Sequence, residues 1–240
     1  INYTANKHKK ITEIYNATKR DLSDSSSMFL ENNENFVVIN KPAGIAVQSG
    51  TKSKKNIIDI LRNSKEFYNT PPYVVHRIDK ETTGILIIAK NRKYAQLFTS
   101  LFRIRKIHKT YLCVVKGELN NKKGTLINDL INYENDRKII TKAITHYTVI
   151  SSNSGYSLIK LNPETGRKHQ LRKQLLIHGN PILGDSKYRL YDIIRNKKDH
   201  LMLHAYKINF SINEKKYSYI ADLPFVFKKN LTEKNLKISL

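Results

Sequence analysis

Apolar residues in this chain fall into short runs separated by turn-forming clusters, and the period of each run predicts an element. Residues 36–39 (Phe-Val-Val-Ile) are apolar and mostly β-branched, and Lys41-Pro42-Ala43-Gly44 stops them. A strand followed by a turn is predicted there. Residues 84–89 are the longest uninterrupted apolar run, which predicts a strand buried on both faces. A second run, 74–79, lies across the Thr82-Thr83-Gly84 turn and is also expected to be extended. Residues 110–115 predict a further buried strand, stopped near Gly117. Paired strands are predicted for 146–150 with 156–161 across Asn153-Ser154-Gly155, and for 205–212 with 217–221. The polar stretch 118–142 reads as hairpin-like.

Helical spacing occurs in three places. Residues 56–62 read as a short helix, and 93–103 places Ala95, Leu97, Phe98, Leu101 and Phe102 at helical intervals. Residues 168–178 form the third, with Gly179 placed as its stop. Strands outnumber helices without regular alternation. The expected class is therefore α+β, with a mixed, mostly antiparallel central sheet flanked by helices and loops, and a doubly wound fold is disfavoured. One domain is expected over 34–228, preceded by a polar linker or tail (1–33, with a serine cluster at 23–27) and followed by a basic tail (229–240). No apolar run is long enough to span a bilayer. The single cysteine, Cys113, excludes a disulfide framework and a cysteine-based zinc site, reads as buried filler, and fits a reducing compartment.

Charge changes the picture. The 240 residues carry 43 Lys and Arg against 20 Asp and Glu, a net +23, which favours a polyanionic partner over neutral metabolites. Part of this is background: 32 Lys, 24 Asn and 29 Ile with no Trp is the composition of an AT-rich coding sequence. Clustering separates signal from background. Residues 90–123 hold ten Lys or Arg and one acid, Glu118, and residues 160–198 hold ten against Glu164, Asp185 and Asp192. Both stretches are candidate RNA or DNA surfaces.

Three segments carry chemistry. In His76-Arg77-Ile78-Asp79-Lys80-Glu81-Thr82-Thr83-Gly84, Asp79 sits on a turn between apolar runs. It suits a nucleophile, a general base or a metal ligand, or it caps turn amides. Arg77 projects from the same side if the backbone is extended, and His76 taken alone reads as a structural hydrogen-bonder. No helical histidine pair or carboxylate cluster supports a metal. Gly166-Arg167-Lys168-His169-Gln170-Leu171-Arg172 opens a helix, making either an anion site for a phosphate or for Asp79, or an ordinary surface helix start. Lys109-Thr110-Tyr111 sets an aromatic beside cations, suited to stacking on an exposed base or to core packing.

Taken in order and spacing, Asn40-Lys41-Pro42-Ala43-Gly44, His76-Arg77-Ile78-Asp79 with Thr82-Thr83-Gly84, Lys109-Thr110-Tyr111, Gly166-Arg167-x-His169-Gln170-Leu171-Arg172 and Gly179-x-Pro181-Ile182-x-Gly184-Asp185-x-x-Tyr188 resemble the RluA family of RNA pseudouridine synthases. The likeness covers about residues 34–225 and is nearest the branch acting on large-subunit (23S-type) ribosomal RNA. It implies the pseudouridine synthase catalytic fold, with a cleft between two halves, and isomerisation of uridine without cofactor or metal. Asp79 matches the essential aspartate, a nucleophile or base at ribose or uracil. Tyr111 matches the tyrosine that stacks on the target base, Arg172 the arginine paired with the aspartate, and Arg77 the residue that fills the gap left by the flipped nucleotide. His76, Lys109, Arg167, Lys168, His169, Arg103 and Arg105 are expected on the RNA-binding face. The uridine must leave its stack, at a cost of a few kcal/mol, and a basic face holding flanking phosphates helps offset it.

Expected partners are ribosomal RNA alone, with no membrane and no obligate protein partner, and a monomer in the bacterial cytoplasm or, for a eukaryotic source, an organelle. Two alternatives stand beside this: the same reaction on transfer RNA, and a non-catalytic, basic RNA-binding protein of ribosome assembly. Departures from the family pattern are Thr83 for Ser, a loop at 47–50 without His, Gln174 for His, and Arg189 for Gly. The small RNA-binding module many relatives carry in front is not visible in residues 1–33.

Overall fold

The computed structural model describes residues 28–48, 56–134, 137–190 and 200–238, so the expectations for residues 1–27, for Ser49 and Gly50 and for Asp192 lie outside the described residues. In chain order the elements are β1 (Phe29–Asn32), β2 (Phe36–Lys41), α1 (Ile57–Arg62), β3 (Tyr73–Val74), β4 (Thr83–Ala89), α2 (Arg92–Arg103), β5 (His108–Lys116), β6 (Lys123–Glu134), β7 (Arg137–Asn153), β8 (Tyr156–Pro163), α3 (Gln170–Ile177), β9 (Leu203–Ile212), β10 (Lys215–Ile220) and α4 (Phe225–Glu233).

The continuous apolar run becomes β4, buried at every position, as a strand covered on both faces must be. It lies between β2 and β9 in one sheet of order β1-β2-β4-β9-β5-β8-β7-β6, with β3 on β4 and β10 on β9. Among the described residues every pairing of these strands but one is antiparallel. The exception is β4 with β9, parallel and only two residues long, Thr83 opposite His204 and Gly84 opposite Ala205. This short ladder joins two halves of an α+β molecule. At the crossing Gly84 has φ +104°, and a Cβ there would overlap the Ala205 carbonyl oxygen, so only glycine lets the strands meet.

Each half has its own core. Leu112, Val114, Leu158, Leu161, Leu175 and Phe227 pack in one. In the other half Val37, Ile39, Leu86 and Ile88 pack on one face of the sheet, and Phe36, Val38, Ile87 and Phe98 on the opposite face. Tyr111 packs against a cluster of each half. Thr83 Oγ1 lies 2.8 Å from His204 Nδ1, and His204 Nε2 is 3.1 Å from the Ala221 carbonyl oxygen. The ring therefore donates to the carbonyl through Nε2 and accepts the threonine hydroxyl at Nδ1. Burial pushes its pKa down to about 4.

Three expectations are corrected. The run 74–79 is not a strand beyond Val74: of residues 73–79 only Tyr73 and Val74 pair with β4, and the next β4 amide, Ile87 N–H, donates to His76 Nε2 at 2.8 Å. The imidazole takes the place of the next ladder acceptor and frees 75–82 as a loop. The folded unit begins before residue 34, because Met28 is buried and β1 pairs with β2. It also runs beyond 228. The basic stretch 229–240 is not a tail at its start, because Phe227 and Leu231 share one face of α4 and are buried with Leu236, while Lys228 and Lys229 stay exposed. Among the described residues no helix is long and apolar enough to cross a membrane.

Candidate active site

Where the halves meet, a cleft of about 580 Å³ opens, lined from one side by the 75–82 loop and α2 and from the other by β5, the 163–167 loop and α3. Asp79 stands on that loop, in a turn closed by Thr82 N–H donating to the Asp79 carbonyl at 3.1 Å. The turn is fastened from behind. Lys41, fully buried, donates to the carbonyls of Pro42 (2.7 Å), Ile45 (3.0 Å) and Lys80 (3.1 Å), and Gly44 N–H donates to Lys80 at 2.9 Å. Burial lowers the Lys41 pKa to about 7, against the opposing pull of Glu81 and Asp79.

Arg172 crosses the cleft to reach Asp79. Its Nη1 donates to Asp79 Oδ2 at 2.9 Å, while Nε and Nη2 donate to the two oxygens of Asp185 at 2.6 and 2.8 Å. Exposure falls along this chain of charges, from 26% for the Asp79 side chain to 8% for Arg172 and 0% for Asp185. Burial opposes the charge on Arg172, yet the two carboxylates outweigh it and raise its pKa. Burial likewise opposes ionisation of Asp185, and the Arg172 bonds and the amides of Tyr188 and Lys187 outweigh it and lower its pKa. His169 Nε2 faces Asp79 Oδ1 at 3.7 Å, and its Nδ1 lies 2.8 Å from the Tyr188 hydroxyl.

The helix holding Arg172 is bolted down by two buried glutamines one turn apart. Gln170 Nε2 donates to the Ile144 carbonyl (3.1 Å) and Thr145 Oγ1 (2.9 Å), while Oε1 accepts from Thr165 Oγ1 (2.7 Å) and Arg167 N–H (2.9 Å). Gln174, where relatives often carry histidine, donates to the carbonyls of Leu126 (3.0 Å) and Ala143 (3.2 Å) and accepts from Thr145 Oγ1 (2.6 Å). The helix starts at Gln170, two residues later than its pattern suggested, after His169 in a left-handed conformation (φ 53°). Tyr111 sits where β9 carries an extra residue: Thr110 pairs with Lys207 and Tyr111 with Ala205. Such a bulge re-aims side chains next to it. Burial, and then the Asp79 charge, push the Tyr111 hydroxyl pKa up, so the ring is a neutral phenol.

Of the residues singled out in the sequence, Asp79, Tyr111, Arg172, Arg77, His76, Lys109, Arg167, His169, Arg103 and Arg105 all line this cleft, and Lys168 does not. His76 contributes a wall, not a charge: its ring is stacked on Phe102 with centroids 4.5 Å apart, and burial lowers its pKa to about 3. Sequence reasoning gave no role to Asp185, Tyr188 or Gln170. Each lies in a quoted motif, but nothing in one sequence says that Asp185 reaches an arginine 13 positions earlier. Among the described residues no group of three His, Cys, Asp or Glu is arranged to hold a metal ion.

Residues 35–176 match the family described as RNA pseudouridylate synthase. The chain belongs to that family, in its RluA branch. It is similar to ribosomal large subunit pseudouridine synthase C of Rickettsia conorii, 35% identical over 210 residues that cover 83% of this chain and 69% of the relative. It is similar to ribosomal large subunit pseudouridine synthase D of Borreliella burgdorferi at 32% over 206 residues, 79% of this chain and 63% of the relative. Likeness extends to tRNA pseudouridine synthase C of Haemophilus ducreyi, 29% identical, covering 76% of this chain and 84% of the relative. The fold superposes on human RNA pseudouridylate synthase domain containing 4 with a TM-score of 0.78 at 26% identity, over 93% of this chain and 97% of the other.

Proposed function

We propose that this protein converts uridine to pseudouridine in large-subunit ribosomal RNA. The observation that carries the reading is the Asp79 carboxylate, bound by Arg172 at 2.9 Å and partly open to a cleft that Arg77, Arg103, Arg105 and Arg167 also line. The C1′–N1 glycosidic bond breaks, the uracil turns, and a C1′–C5 bond forms. The C5 proton leaves to solvent and N1 takes one up, so no net oxidant, reductant or cofactor is needed. Asp79 acts on the flipped uridine as nucleophile or base, with Arg172 fixing its geometry. Tyr111, a neutral ring in the same cleft, stacks on the uracil. Arg77 fills the space the nucleotide leaves. Arg103, Arg105, Lys109 and Arg167 in the cleft, with Lys168 beside it, hold the flanking phosphates, and His169 at the Asp79 carboxylate meets the RNA at the flipped nucleotide. In this reading the protein acts as a monomer in the cytoplasm.

Ribosomal RNA is favoured because the ribosomal large subunit pseudouridine synthases C and D named above match at 35% and 32% identity, while the transfer-RNA relative stands at 29%. The test is incubation with unmodified ribosomal RNA and, separately, transfer RNA, followed by digestion to nucleosides. Pseudouridine in the ribosomal arm is the expected result. Pseudouridine only in the transfer-RNA arm moves the substrate, and none in either, with RNA bound, leaves the non-catalytic binding reading.

A further inference from the structure

We infer that the turn from Gly184 to Tyr188 is a positioning device for Asp79: Asp185 sets Arg172, Tyr188 sets His169, and those two residues face the two carboxylate oxygens. The inference rests on the reading of Asp79 as the reacting group. Its basis is geometric. A guanidinium is a planar fork, so once Asp185 takes the Nε and Nη2 edge at 2.6 and 2.8 Å, the direction of Nη1 toward Asp79 is fixed. Asp185 cannot drift, because its side chain is wholly buried and Oδ1 also accepts the amides of Lys187 (2.8 Å) and Tyr188 (2.9 Å).

The same turn reaches the second oxygen. The Tyr188 ring lies over Arg172, 5.0 Å from the guanidinium carbon, and its hydroxyl is 2.8 Å from His169 Nδ1. The other ring nitrogen of His169 faces Asp79 Oδ1 at 3.7 Å. His169 holds a left-handed backbone (φ 53°) that a β-carbon disfavours, as expected of a residue whose ring must be delivered to one place. The turn itself is seated: Gly184 has φ +76°, and a Cβ there would overlap the His200 carbonyl oxygen. Asp185 and Tyr188 are thus positioning residues that act through Arg172 and His169.

The experiment compares Asp185→Asn, Asp185→Glu and Tyr188→Phe with wild type, following tritium release from RNA labelled at uridine C5. Asp185→Asn should lower kcat about 100-fold with KM within a few fold, the loss typical of a misplaced reacting group. Asp185→Glu should recover part of it, and Tyr188→Phe should lose about 5-fold in kcat alone. In an Arg172→Met background, Asp185→Asn should cost no further activity, because the two act as one unit. The independent readout is the Arg172 Nε–H signal of 15N-labelled protein, protected from exchange in wild type and exchanging freely in Asp185→Asn.

Wild-type kcat in a folded Asp185→Asn protein overturns the inference. So does a rise in KM with kcat intact, or a full further loss in the Arg172→Met background. If Asp185→Asn does not fold, Tyr188→Phe decides: unchanged kcat overturns the inference and a kcat-only loss supports it. If wild type forms no pseudouridine, the functional reading falls and the exchange signal decides the positioning: a still-protected Nε–H in Asp185→Asn overturns it.

Discussion

Two cavities of nearly equal size, about 580 and 530 Å³, lie beside the junction of the two half-sheets. Adjacent residues divide between them: Thr82 and Leu203 line the first, Thr83 and Met202 the second. In the first, five arginines and Asp79 converge. The second is walled largely by Met28, Leu30, Leu201, Leu223, Val226 and Phe227, and its buried cation, Lys41, is spent on three carbonyls. Volume therefore says little about function here. What separates the cavities is whether charged groups are aimed into the space or into the protein.

The sharpest test of that contrast is Asp79→Asn, which should reduce pseudouridine formation about 1,000-fold or more while RNA affinity stays within a few fold. Activity near wild type would remove Asp79 from the reaction. Arg172→Met should cost comparable activity and also about 3–5 kcal/mol of stability, because it strands the wholly buried Asp185 charge. Thermal unfolding checks this, and adding Asp185→Asn should return part of the stability. On the other side, Phe227→Ala should destabilise by about 3–5 kcal/mol and leave kcat of the folded fraction unchanged. A kcat loss there would erase the distinction between the cavities.

Arg103→Ala with Arg105→Ala, both exposed on the cleft rim, should raise KM at fixed salt without moving kcat, and should flatten the salt dependence of RNA binding by about two phosphate contacts. The smallest effect concerns pH. His204 has a pKa of about 4 when folded, below its unfolded value, so the unfolded chain binds the proton first as pH falls. Stability is then present above about pH 6.5 and declines toward pH 4. His204→Gln should reduce the fall of the urea midpoint over that window, His76 contributing in the same direction, and an unchanged slope would discharge His204 from the effect.

Much of this was legible in the sequence where one local signal governed. The apolar run of β4, the helical spacing of α2 and the Asn-Ser-Gly turn before β8 each specify their element without help. The failures share a cause. Residues 75–79 look extended, yet a side chain, His76, usurps the acceptor place of the next strand residue. α4 looks like a charged tail because Lys228 and Lys229 stand beside the two apolar positions that bury it. Cleft residues were found because their motifs carry the resemblance. Of the Asp79–Arg172–Asp185 chain of charges, the first pair came with the resemblance although it spans 93 residues, while the second, 13 residues apart, went unseen because no periodic pattern ties a helix residue to the turn that follows its helix.

Strand order also governs when the site can exist. β9 is the strand that joins β4 to β5, and it follows every other strand but β10 in the chain. Until residues 203–212 have left the ribosome, the half carrying Asp79 and the half carrying Arg172 have no shared ladder. During synthesis Asp79 and Arg172 have no strand pairing to hold their halves together, and one late strand brings them to a single cleft.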